Sequence, residues 1–364
     1  MGRCAIPVHL IGAMRGARRQ ASLGTVSVAP RPSAESSGVL GRVDRWQAGH
    51  PVAGVPFAVV KKFVDDDAAG LGVRVAYWGF FSVFSLLLAF VSILGFAFQG
   101  DPSFQQRVLD STLGLMPVIG PQISGNVGSL TGSGVALAVG LAGALWTGLG
   151  VTVAMGVALD RIWAVERVDR SGFVRSRIRG LLVLASIGVF TVASTAGVGL
   201  ATDGSSGSTP AQVLSFVAAA GIDLVVFLAS FRLLTAAPVT TREVLPGAAV
   251  AAACWLVLQA VGGIYVTQIL KGSSQTYGGF AAVIGLLAWL LIAAEITLMA
   301  AELNVVLARS LWPRSLGSEL RAADERTMRE AAESERRDRR QRITVTFEAE
   351  GEVGTNAEQG GGDV

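Results

Sequence analysis

Six stretches of this chain stay apolar for twenty residues or more, the length a helix needs to cross the hydrocarbon core of a bilayer. They are Ala76–Phe98, Val135–Leu159, Leu181–Ala201, Ala211–Leu234, Leu245–Leu270 and Phe280–Ala308. Lipid offers the backbone no hydrogen bonds, so each stretch must satisfy its own as a helix. The charged fraction agrees, at 16% against roughly a quarter in soluble domains; the mean hydropathy is +0.53. The first run begins too late and is too long for the apolar core of a signal peptide. The expectation is an all-α, polytopic membrane protein with six transmembrane helices between residues 76 and 308.

The basic residues next to the runs set an expected orientation. Lys61, Lys62 and Arg74 precede the first run. Arg161, Arg167, Arg170, Arg175, Arg177 and Arg179 lie between the second and third. Arg232 and Arg242 lie between the fourth and fifth, and Arg309, Arg314 and Arg321 follow the sixth. The other side holds Arg107 and Lys271. Fourteen against two puts both termini in the cytoplasm. The net charge of +3 is thus partitioned by leaflet, and it points to anionic headgroups as partners rather than nucleic acid.

Outside the spans the composition changes. Residues 1–54 are rich in Arg, Ser, Gly, Ala and Pro without period and read as a disordered tail. Residues 55–75 read as an interfacial segment: in "PFAVVKKFV" Phe57, Val60 and Val64 share a face, with Lys61 and Lys62 opposite or flanking. Between the first two spans, "DPSFQQRVLDSTLG" carries Asp101 as N-cap, Pro102 in the first turn and Gly114 past the end of a short helix. Residues 309–364 hold ten arginines and twelve acids and read as a charged cytoplasmic tail, solvated on all sides. Within the second span Gly140, Ala144 and Gly148 recur every four residues, a spacing that lets membrane helices approach closely. Such faces permit a homo-oligomer.

Several chemistries are excluded by what the chain lacks. Its two histidines, His9 and His50, lie in the N-terminal tail, and Cys4 and Cys254 form no cluster, so no metal centre can be assembled. No Lys follows Gly in a phosphate-loop pattern, and no Gly-x-Ser-x-Gly elbow occurs. The reading is a chain that is not an enzyme and needs no cofactor.

The informative residues are polar groups at membrane depth. Asp223 lies mid-span in "SFVAAAGIDLVVFLASFRLL", where a charge costs roughly 2.5–3.5 kcal/mol on insertion scales. In the sixth span Glu295, Met299 and Glu302 recur at i, i+4 and i+7, hence on one face, with Asn304 a turn from the boundary. Gln259, Tyr265 and Trp255 in the fifth span and Thr191, Ser194 and Thr195 in the third add to the set. One reading makes Asp223, Glu295 and Glu302 part of a polar path for a proton, cation or headgroup. The other pairs Glu302 with Arg232 or Arg309 at the interface and has Asn304 brace a neighbouring helix. Asp223 and Glu295 favour the first reading, Glu302 and Asn304 the second.

Four stretches in order carry a resemblance: "AYWGFFSVFSLLLAFVSILG" in the first span, "LDRIWAVER" closing the second, "LPGAAVAAACWLVLQ" opening the fifth and "QTYGGFAAVIGLLAWLLIAAEITLMAAELNVVLA" in the sixth. From about Phe57 to Ser310 the chain resembles the YihY/BrkB family of bacterial inner-membrane proteins, once mislabelled as ribonuclease BN. The match places Tyr277, Gly278, Glu302 and Asn304 on motif positions, together with Asp160, Arg161, Ile162 and Trp163. Asp160 stands where the family has Asn, and Ser85 where it has a helix-kinking Pro. The resemblance implies a multi-pass protein of the bacterial plasma membrane, either a secondary transporter or translocator of lipid or envelope components, or an envelope-integrity scaffold. The scaffold would recruit partners through its arginine-rich loop and tail. The residues assigned to a path or its rim are Asp223, Glu295, Glu302, Asn304, Arg232, Tyr277 and Gly278.

Overall fold

The structure, a computed structural model, describes residues 42, 46–47, 49–97, 134–202, 209–273, 278–315 and 320–347. The short helix expected after Asp101, most of the N-terminal tail and Tyr277 lie outside the described residues. The described helices all belong to one unit, residues 36–345.

Among the described residues the chain is helical, without strands: α1 (Pro51–Asp65), α2 (Ala68–Ala97), α3 (Gly134–Ile162), α4 (Phe173–Thr202), α5 (Thr209–Leu234), α6 (Thr241–Ser273), α7 (Gly278–Ala308) and α8 (Ala322–Ser334). Five of these, α2, α3, α5, α6 and α7, are long and apolar enough to cross a membrane. α4 spans 30 residues, but its side chains beyond residue 188 lie outside the described set. The helices begin up to eight residues before the apolar runs, because backbone hydrogen bonding continues into the charged flanks. Arg74 thus sits in α2, and Arg175, Arg177 and Arg179 in α4. α2 is helical straight through Ser85, as expected where a serine replaces a proline.

Each long helix packs on the next in chain order, and α7 closes on α2, so α2 to α7 form a ring. Glycines set the tightest seams. A Cβ on Gly140 would lie 2.8 Å from the Ala89 backbone nitrogen, so α3 meets α2 there with no room for a side chain. Gly148, two turns on, faces Leu184 of α4 instead. The small-residue spacing in this helix therefore serves two neighbours.

The ring is packed solid at one end, here called the basic end. Leu71, Ala158, Leu159, Ile162, Phe231, Leu234, Val244, Ala248, Leu298, Ala301, Val305 and Leu311 form one buried cluster drawn from α2, α3, α5, α6, α7 and the segment after α7. Two helix ends here are closed the same way. After α3, Ala164 takes a left-handed φ of 49°, with Val165 N donating to Asp160 O (2.8 Å) and Ala164 N to Arg161 O (2.9 Å). After α7, Ser310 has φ 51° and Leu311 N donates to Val306 O (3.0 Å). These are Schellman closures; they leave the last carbonyls of each helix free for other donors.

α1 and α8 cover this end. α1 packs on α7; its buried stripe runs through Gly54, which faces Gln47 and Trp312, Ala58 and Lys62, positions four residues apart. The apolar face expected to meet the membrane, with Val60 and Val64, is exposed (49% and 70%). Lys62 departs from its expected place on the polar side: only 3% exposed, it continues the small-residue stripe inward. α8 corrects the expectation of a tail solvated all round, because Ala323, Asp324, Thr327 and Ser334 are buried.

Candidate functional site

Two of the predicted polar residues come to rest at the basic end, with partners that local sequence did not supply. Glu302 is fully buried on α7. Its expected partners are elsewhere: Arg232 is exposed and donates to Thr241 Oγ1 (2.6 Å), while Arg309 pairs with Glu330 (2.5 Å). The cation beside Glu302 is Lys62, whose Nζ lies 3.0 Å from Oε2. Lys62 also donates to Asp66 Oδ2 (2.5 Å) and to the carbonyl of Ile162 (2.8 Å). The approach to Glu302 is an ion pair by distance alone, and neither of its oxygens accepts a hydrogen bond among the described residues. Burial works against the charge on Lys62, but the carboxylates of Glu302 and Asp66 outweigh it and raise its pKa above the ordinary ammonium value.

The Ile162 carbonyl is available because the closure after α3 leaves it free. Its neighbour, the Trp163 carbonyl, accepts from Arg309 Nη2 (2.8 Å), and the Arg309 guanidinium lies over the Trp163 ring, 5.7 Å from its centre. Two cations from distant parts of the chain thus sit at the negative end of the α3 dipole. Asp160, one turn earlier, is buried and accepts from Ala236 N (2.6 Å), fixing the loop after α5. An asparagine would present the same oxygen, so the replacement leaves this contact intact.

Asn304 braces a neighbour as expected. Its Oδ1 accepts from Gly247 N in α6 (2.6 Å), just past Pro246. A Cβ on Gly247 would stand 2.1 Å from the carbonyl oxygen of Ala300, so only glycine admits α7 at this distance. The Nδ2 of Asn304 is buried without a partner among the described residues.

A second ion cluster fastens the outer layer. Asp324 of α8 is fully buried and accepts from Arg314 Nε (2.8 Å), Lys61 Nζ (2.8 Å), Ser315 N (2.9 Å) and Arg321 N (3.2 Å). Burial alone would raise its pKa, but these donors prevail and hold the carboxyl below the ordinary range. Arg314 reaches on to Asp65 (2.6 Å), and its carbonyl accepts from Gln47 Nε2 (2.6 Å). Sequence reasoning missed Lys62, Asp66, Arg314 and Asp324. The available signal was the stripe Gly54–Ala58–Lys62, which marks the lysine as continuing a packing face.

The deeper acids are placed differently. Asp223 is half-buried on α5, four residues before Phe227 and eight before Phe231, both packed into the basic-end cluster. Glu295 is half-buried at the α2–α7 seam, where Gly72 leaves room for its Cγ. Neither takes a hydrogen bond or ion pair among the described residues. The helix is unbroken from Glu295 to Glu302, so Met299 keeps the face of the two glutamates, and that face runs from the half-buried Glu295 and the 38% exposed Met299 to the fully buried Glu302. α7 packs on α1, α2, α3 and α6 and buries more than one stripe. Gly278 begins α7, beside the undescribed Tyr277. Among the described residues no group of acids, histidines and cysteines is arranged to hold a metal ion.

Three of the four stretches that carry the resemblance therefore meet in space: Asp160 to Trp163, Gly247, Glu302 and Asn304 all converge on the basic end. No curated protein and no solved structure matches this chain. The model of the family described as virulence factor BrkB matches residues 59–324, which take in every helix from α2 to α7, and the chain belongs to that family.

Proposed function

We propose that this multi-pass membrane protein is a secondary transporter, or a translocator of lipid or envelope components. In this reading it has six spans, with α4 as the third, and lies in the bacterial plasma membrane with its basic end and both termini in the cytoplasm. The observation that carries the reading is the contrast within the ring. One end is packed and ion-paired, while Asp223 and Glu295 stand half-buried at membrane depth without a counter-charge among the described residues. Ionisable groups kept at that depth at an energetic cost mark substrate or ion paths. Gly247 and Asn304 hold α6 against α7 beneath this path. Arg161, Arg175 and Arg242, exposed at the basic end, meet anionic headgroups. No covalent step is involved, and nucleic acid is not a partner.

The test is transport or lipid translocation in proteoliposomes. Asp223→Asn and Glu295→Gln should each abolish it while leaving the protein folded; activity surviving the double variant would refute the reading.

One observation favours the scaffold reading. An open cavity of about 490 Å³ lies among Glu166, Glu333, Arg336, Arg339, Gln341 and Arg342, beside the α3–α4 loop. A partner docking there would leave the double acid variant able to complement a deletion strain and a chain truncated after Ser310 unable to do so.

A further inference from the structure

Two carboxylates, Asp66 and Glu302, share one ammonium, Lys62, in a site where all three are less than a tenth exposed. With every group ionised the site carries one uncompensated negative charge. An isolated buried charge of this kind is costly and is relieved by taking up a proton. The geometry shows where that proton would go. Lys62 Nζ directs hydrogen bonds at Asp66 and the Ile162 carbonyl; it stands 3.0 Å from Oε2 of the fully buried Glu302 without the angle of a hydrogen bond, and neither Glu302 oxygen has another donor among the described residues. Among the described residues the elements around α7 bring no other charged group to the site. α1 offers Lys62, and the turn after it Asp66. α2 turns Arg74 outward, α3 contributes a carbonyl with Asp160 engaged by Ala236, and α6 presents the uncharged Val244 and Gly247.

We infer that Asp66, Lys62 and Glu302 form a proton-binding site that takes one proton from the aqueous phase at the basic end, and that its occupancy decides whether α1 is held on α7. Asp66, the outermost of the three, is the point of access. The proton leaves a hydronium or buffer acid, passes Asp66 and binds a Glu302 oxygen; no other bond is made or broken. Lys62 keeps its charge beside the remaining carboxylate, Asp66, and pairs with it within its own segment. The ionic tie between α1 and α7 is thereby lost. This inference stands whether or not the ring carries a cargo.

Infrared difference spectroscopy of the full-length protein in vesicles, titrated with acid, reads the site directly. A protonated-carboxyl band should appear with one-proton dependence. It should vanish in Glu302→Gln and persist in Asp223→Asn and Glu295→Gln. Asp66→Asn should move its midpoint to lower pH, because Lys62 then serves Glu302 alone. A band unchanged in Glu302→Gln, or a midpoint unmoved in Asp66→Asn, would overturn the site; if Glu302→Gln does not fold, the Asp66→Asn shift decides. The tie to α1 is read by thiol labelling of Ala58→Cys in a Cys4→Ser, Cys254→Ser background. Labelling should rise with acid in step with the band, by up to about tenfold per pH unit, and labelling that stays flat while the band titrates would overturn the coupling. Loss of transport in Asp223→Asn leaves both readouts in place, so the two proposals fail separately.

Discussion

The basic end and the mid-membrane zone of the ring treat charge in opposite ways. At the basic end Lys62, Asp66, Arg309, Arg314 and Asp324 are held by ion pairs and hydrogen bonds that join separate parts of the chain. About 16 Å further in, eleven residues up α5 from Leu234 at 1.5 Å each, Asp223 has no such ties among the described residues. Ion pairs enclosed by protein fix one arrangement of the segments that carry them; an acid left unpaired fixes nothing and stays available. Substitutions in the two zones should therefore differ in kind: loss of fold at one end, loss of function alone in the other.

The largest effect is expected from Lys62→Met, which leaves two carboxylates enclosed with no cation. Removing one partner of a buried pair costs about 3–5 kcal/mol, and thermal unfolding in detergent should show it. Glu302→Gln should cost much less, because Lys62 keeps Asp66 and the Ile162 carbonyl. Equal losses would mean that the ion pair, and not the charge balance of the site, governs stability there.

Asp324 gives the next effect, and its sign is fixed by its lowered pKa. A carboxyl depressed in the folded state adds stability that is complete above its ordinary range and is lost as the pH falls through the lower native value. α8 should thus stay docked at neutral and mildly acid pH and come away only in strong acid. Asp324→Asn should undock it at neutral pH, at about 1.5–3 kcal/mol for hydrogen bonds to a charged group. Amide exchange in Ala322–Ser334 measures both, and protection that ignored acid would contradict the pairing.

Gly247→Ala ranks third. The added methyl would collide with the Ala300 carbonyl, and overpacking costs about 1–3 kcal/mol. Asn304→Ala breaks the same junction from the other side, since Gly247 N loses its acceptor. If the two act through one contact, the double variant should be less destabilised than the sum of the singles.

These differences also mark how far the fold and the site are legible in the amino-acid sequence. The long helices are legible because lipid demands long apolar runs, and their ends fall within a few residues except where charged flanks continue the helix. Asn304 is legible as a brace, since an amide near a helix end has few other uses. The pairing of Glu302 is not: Lys62 lies 240 residues away in the chain, and nothing local separates it from Arg309, seven residues from the acid. α8 misleads because its polar-all-round pattern describes a solvated helix equally well. Its docking depends on Asp324 meeting donors from α1 and from the segment after α7, a three-way contact with no trace in local periodicity.

The smallest effect on stability, and the sharpest test of the contrast, belongs to Asp223→Asn. A residue without a partner has no interaction to lose, and the amide removes whatever cost the carboxylate bears at that depth. Unfolding should shift by no more than about 0.5 kcal/mol, the range of substitutions that disturb no packing or pairing, or rise slightly. Glu295→Gln should behave alike, because Gly72 leaves space for either side chain. A loss of several kcal/mol in either variant would mean that the acid is paired after all and belongs with the basic end. Unchanged stability together with abolished transport would separate the two zones cleanly, since a group that contributes nothing to the fold yet cannot be replaced must act on what passes through it.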